Sequence, residues 1–139
     1  MIRLHPVGAP MPVVTVPLVA GASVSVRVLD AVAAHQVEAE ATDLHRRIRD
    51  GADVLAAIGT DLPPVCGDGS DKGLGLYLED YVLGRLAIVA WTGIGDEDGE
   101  PVDPTPTAIA AVMRDPALAK AIRDAATAPL HATIAEGKG

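Results

Sequence analysis

The chain has 139 residues, room for one domain of ordinary size, and no apolar run nears the roughly 20 residues that cross a bilayer. Its net charge of −8 disfavours nucleic acid and anionic lipid and favours a basic partner surface. A single cysteine, Cys66, rules out an internal disulfide framework, and with no Phe, two Tyr and one Trp the core must be built from Ala, Val, Leu and Ile.

Residues 1–12 are rich in proline, which fixes φ and removes donors, so an extended N-terminal arm is expected. Pro6, Pro10, Pro12 and Pro17 also break any signal-peptide core, and the expected location is the cytoplasm. Residues 13–29 read as a β-hairpin. Val24, Val26 and Val28 alternate strictly with Ser23, Ser25 and Arg27, the pattern of a half-buried strand, and Gly21 supplies the turn. Pro17 makes the first run an edge strand. Two strands alone are marginal in water, so the hairpin needs a cover, a third strand or a partner's strand.

Asp30 is placed to cap a helix over 31–49, with Val37, Leu44 and Ile48 at helical spacing and Arg46, Arg47 and Arg49 in its last turn. A short helix over about 52–58 follows. Residues 59–73, dominated by Gly, Pro, Asp and Ser, read as a loop. The span 74–91 is apolar over most of its circumference and reads as the central helix, with Leu76, Leu83, Leu86, Val89 and Ala90 on one broad face. An acidic turn then runs from Gly95 to Pro104. Thr105 with Pro106 and Asp115 with Pro116 open helices over 106–114 and 116–127. Pro129 ends the last, and 129–139 read as a flexible tail. The expected fold is α+β, mainly α: an N-terminal hairpin on a bundle of about four to five helices, in one domain over 13–128.

Catalytic patterns are missing. His5, His35, His45 and His131 are scattered, and the ten residues between His35 and His45 put them nearly three helical turns apart. No base partner marks Cys66 as a nucleophile. Asp68, Ser70, Gly73 and Glu79 match part of a calcium-loop register, but Lys72 stands where an oxygen ligand is needed. The expectation is a non-enzymatic protein without cofactor or metal that works by binding other proteins. A small metal-binding or hydrolytic regulator would need a clustered titratable site that the chain does not offer.

The block from Leu86 to Pro106 carries the most specific pattern: a helix ending in Trp91-Thr92-Gly93, an acidic Asp-Gly turn, then Thr105 and Pro106 opening a helix with Ile109, Val112 and Met113 on its apolar face. In this block the chain resembles the tail assembly chaperones of siphophages and prophages, including small tail-module proteins of gene-transfer-agent-like clusters in alphaproteobacteria. The strand from Val24 followed by a helix is similar to that group as well. The resemblance implies a cytoplasmic assembly factor that binds the tape-measure protein, the tail-tube protein or both while the tail polymerises. A structural tail or head–tail component is the alternative. Candidate contact residues are Val24, Val26, Val28, Trp91, Ile109, Val112 and Met113. For Trp91 a core plug is the competing reading, in which its bulk and indole donor pin the turn. Gly93, Gly95, Asp96, Gly99, Pro101 and Pro104 shape that turn. Self-association through the hairpin edge or an Ala-rich helix face is also expected, and neither nucleic acid nor membrane is expected as a partner.

Overall fold

A computed structural model describes residues 1–51 and 67–133. In chain order the elements are β1 (Ile2–Arg3), β2 (Val13–Pro17), a 3-10 turn (Val19–Gly21), β3 (Ser23–Arg27), α1 (Ala31–Arg49), α2 (Asp68–Ala87), β4 (Ile88–Thr92), α3 (Pro106–Val112), α4 (Pro116–Ala126) and β5 (Ala132–Thr133). The fold is α+β and mainly α, as the patterning predicts. The helix expected at 52–58, Cys66 and the chain beyond 133 lie outside the described residues. Among the described residues, no helix is long and apolar enough to cross a membrane.

β3 is the centre of a three-stranded antiparallel sheet ordered β2-β3-β4. Its alternation explains the position: Val24 and Val26 are fully buried beneath the sheet, while Arg27 is exposed. Val24 pairs with Val16 on one side and Trp91 on the other. Pro17 lies at the end of the edge strand β2, where its missing N–H costs the ladder little.

The third strand corrects the sequence reading of 74–91. The central helix ends at Ala87, and Ile88–Thr92 pair with β3 as β4, so Trp91 stands in a strand. An uninterrupted apolar run fits a buried helix or a strand equally well by periodicity, and here cross-strand pairing decides. A bulge between Ser25 and Val26 in the register leaves Val89 as the extra residue, and Val89 is exposed.

The central helix also starts earlier than its glycines suggest. Asp68–Gly73, read as loop, form the first turns of α2, with Asp68 and Asp71 at the positive end of the helix dipole. The side chain of His45 on α1 meets Asp71 at 2.9 Å, and a Cβ on Gly75 would sit 3.3 Å from the His45 ring. Each glycine costs helix propensity of about 1 kcal/mol; Gly75 lets α1 approach closely, whereas Gly69 and Gly73 face open space. The buried stripe of α2 is Leu74, Leu78, Tyr81 and Val82, spaced 4, 3 and 1. Leu76, placed on the apolar face by its sequence, is exposed instead, because a helix apolar nearly all round leaves its orientation to packing.

The same core takes in Val37 and Ala41 of α1, Ile109 and Ala110 of α3, and Ala119, Ile122 and Ala126 of α4. Alanine is frequent in it, so it relies on close approach. Gly84 illustrates this: a Cβ there would lie 2.9 Å from Ile109 Cγ2. Tyr77 closes the same contact by donating its hydroxyl to the Ala110 carbonyl at 2.7 Å. The two ends of the described chain meet. β1 and β5 pair Ile2 with Thr133 and Arg3 with Ala132, so the start of the arm and residues 132–133 of the expected tail are tied to each other by a ladder too short to leave a sequence pattern.

Candidate functional site: a groove beside the acidic turn

The turn after β4 is built by local backbone chemistry. The Asp96 N–H donates to the Glu100 carbonyl at 2.9 Å, and the Gly99 N–H donates to the Asp96 carbonyl at 3.0 Å. Asp96 Oδ1 accepts from the Asp98 N–H at 2.9 Å and the Glu100 N–H at 3.0 Å. An Asp side chain that bonds the backbone two residues on is a standard way to hold such a reversal. Gly95 faces Pro101 across the turn, and a Cβ on Gly95 would meet the Glu100 carbonyl oxygen at 2.9 Å. Pro104 is half-buried behind it.

Trp91 lashes the turn to the sheet. Its ring is half-buried, and its indole N–H donates to the Val102 carbonyl at 2.6 Å. Val102 in turn donates its N–H to the Ile94 carbonyl at 3.1 Å. Gly93 carries the chain from strand to turn with φ of 75°, and a Cβ there would lie 2.9 Å from Ala22 Cα. Both a left-handed backbone and a close approach therefore require glycine at this position.

Two capped helices complete the wall. The Thr105 side chain accepts from the Ala108 N–H, and Asp115 accepts from the Ala117 and Leu118 N–H groups, with Pro106 and Pro116 at the first helical positions. Between the turn and these helices lies an open groove of about 690 Å³. Ile94, Val102, Ala108, Ala111 and Leu118 give it an apolar lining, with Val112 at its floor. Among the described residues its carboxylates are Asp96, Asp103 and Asp115, and no cationic side chain lines it.

This placement redistributes the residues singled out in the sequence. Val24, Val26, Val28, Ile109 and Met113 are buried in the chain's own core and present no surface to a partner. Val112 is buried as well but reaches the groove. A short amphipathic helix has two usable faces, and the stronger hydrophobes went inward. The outer face, Thr107, Ala108 and Ala111, carries no strong sequence signal. The only hint is the recurrence of small residues at helical spacing between the Thr105 cap and the Asp115 cap.

Among the described residues, no group of three or more His, Cys, Asp or Glu is placed to hold a metal ion. The partial calcium-loop register falls inside α2, where Asp68, Ser70 and Gly73 follow a helix and cannot wrap an ion. The His45–Asp71 pair, with Arg49 Nε 3.6 Å from the same carboxylate oxygen, joins α1 to α2. Comparison of the chain with protein-family models, with curated proteins and with solved structures gives no match.

Proposed function

We propose that the protein is a non-catalytic tail assembly chaperone that acts in the host cytoplasm and binds the tape-measure protein, the tail-tube protein or both during tail morphogenesis. The reading starts from the resemblance to that group, which covers roughly residues 13–125 and is most specific over 86–114. The observation that carries it is the cooperation of this block. The Trp91–Val102 bond, the Asp96 turn and the Thr105 cap hold one rigid ledge. That ledge walls an open apolar groove. A preformed apolar groove with a polar rim suits recognition of a protein segment, and rigidity lowers the entropy lost on binding.

The test is genetic and compositional. Deleting the gene in a particle-producing strain is expected to leave filled heads without tails, and quantitative mass spectrometry of wild-type particles is expected to find the protein absent. Stoichiometric presence in purified particles would overturn the chaperone reading in favour of a structural tail component. Normal tails after deletion would overturn both.

A further inference from the structure

We infer that the groove receives a short apolar protein segment flanked by lysine or arginine residues. The inference rests on the protein-binding reading above and adds the chemistry of the partner. The groove offers Ile94, Val102, Ala108, Ala111 and Leu118 as half-exposed or exposed apolar and small side chains, so its occupant must bring hydrophobic anchors. Its volume of about 690 Å³ suits a few anchor side chains rather than the face of a whole subunit.

Charge decides what flanks the anchors. Residues 95–115 hold six of the chain's nineteen acidic residues, Asp96, Glu97, Asp98, Glu100, Asp103 and Asp115, against one of its eleven Lys and Arg residues, Arg114. Asp96 and Asp115 each commit Oδ1 to backbone N–H groups. Their second oxygens, and the exposed Asp103 carboxylate, have no partner among the described residues and remain acceptors for an incoming cation. An acidic or uncharged segment would gain nothing from this rim, and an anionic lipid or nucleic acid would be repelled by it. Basic flanks would speed encounter and fix orientation, while the apolar anchors would hold the complex.

The experiment uses the isotope-labelled full chain, followed by NMR as a synthetic amphipathic peptide of leucine and lysine is added. Two control peptides replace every lysine by glutamate or every leucine by serine. Saturable shifts are expected at Val102, Ala108, Ala111 and Leu118 with the leucine–lysine peptide and not with either control. Ala111→Arg places bulk and positive charge in the groove at an exposed helix position, and it is expected to weaken binding by about tenfold or more with the circular dichroism spectrum unchanged. Asp103→Asn, which removes charge from an exposed side chain with no hydrogen bond among the described residues, is expected to weaken binding several-fold and to lower its salt dependence.

Equal binding of the serine or glutamate control would overturn the proposal. So would shifts scattered over the acidic surface, or unchanged affinity in Ala111→Arg. If peptide binding fails while gene deletion still abolishes tails, the groove assignment falls and the chaperone reading stands. If the groove binds as expected while the protein proves a stoichiometric particle component, the chaperone reading falls and the groove stands.

Discussion

Gly93 and Gly99 form a matched pair that isolates one steric contact. Both hold left-handed backbone, with φ of 75° and 79°. A Cβ on Gly99 meets nothing within 4 Å, whereas a Cβ on Gly93 would lie 2.9 Å from Ala22 Cα and 3.3 Å from Ala22 Cβ. The left-handed conformation costs an alanine about 1–2 kcal/mol. Restricting the unfolded chain returns about 0.4–1 kcal/mol. Gly99→Ala is therefore expected to cost about 1 kcal/mol. Gly93→Ala carries the same terms and an overpacking cost of about 1–3 kcal/mol, because the obstacle is the backbone of the buried Ala22, held next to β3, and cannot swing aside. The expected cost is about 2–4 kcal/mol. Urea unfolding, followed both by circular dichroism and by the fluorescence of the single tryptophan, measures the difference as a shift in midpoint at constant slope. If Gly93→Ala proves no more costly than Gly99→Ala, then β4 does not cross Ala22 as described and the placement of the turn is wrong.

Four further outcomes follow from the same contacts. Trp91→Phe leaves the Val102 carbonyl without its indole donor and should cost about 1–2 kcal/mol, with faster hydrogen exchange at the Val102 and Asp96 amides; protection equal to wild type would refute the lashing role. Ala20, a non-glycine residue with φ of 57°, is strained in the hairpin turn, so Ala20→Gly should raise the urea midpoint by up to about 1 kcal/mol of stability. Arg123 Nη1 meets both oxygens of Asp80 at 3.1 and 3.2 Å, joining α2 to α4, but the Arg123 side chain is still 43% exposed. A double-mutant cycle should give a coupling below about 1 kcal/mol that shrinks further in high salt. Burial raises the Tyr81 pKa above its ordinary 10, with Arg85 opposing the rise. The neutral phenol therefore adds stability that is complete below pH 10 and lost as pH climbs through the higher folded-state value; a tyrosinate absorbance titration showing both tyrosines ionised at or below pH 10 in the folded protein would refute this.

Much of the local architecture was legible without coordinates. Asp30, Thr105 and Asp115 cap the helices that their side chains predict, because a cap is chemistry within three residues. Strict alternation put Val24 and Val26 under a sheet and Ser25 toward its outer side, and the indole donor of Trp91 pins the acidic turn as its chemistry suggests. The bounds of α1 agree for the same reason: its caps, its apolar stripe and its basic last turn all lie within one segment.

What the amino-acid order determined, then, was every feature with a short-range cause: caps, turns, strand alternation and the sign of the charge around the groove. Tertiary structure decided the rest. Ile88–Thr92 became a strand because β3 offered a ladder some 65 residues away in sequence, and apolar periodicity alone cannot choose between helix and strand. Asp68–Gly73 became helix because packing on α1 outweighed the weak propensity of Gly69 and Gly73. The candidate contacts Ile109 and Met113 turned inward against Gly84, since a thin, alanine-rich core draws in the largest apolar side chains within reach. That left Ala108 and Ala111 outside, where their small size opens the groove that no single residue in the sequence announces.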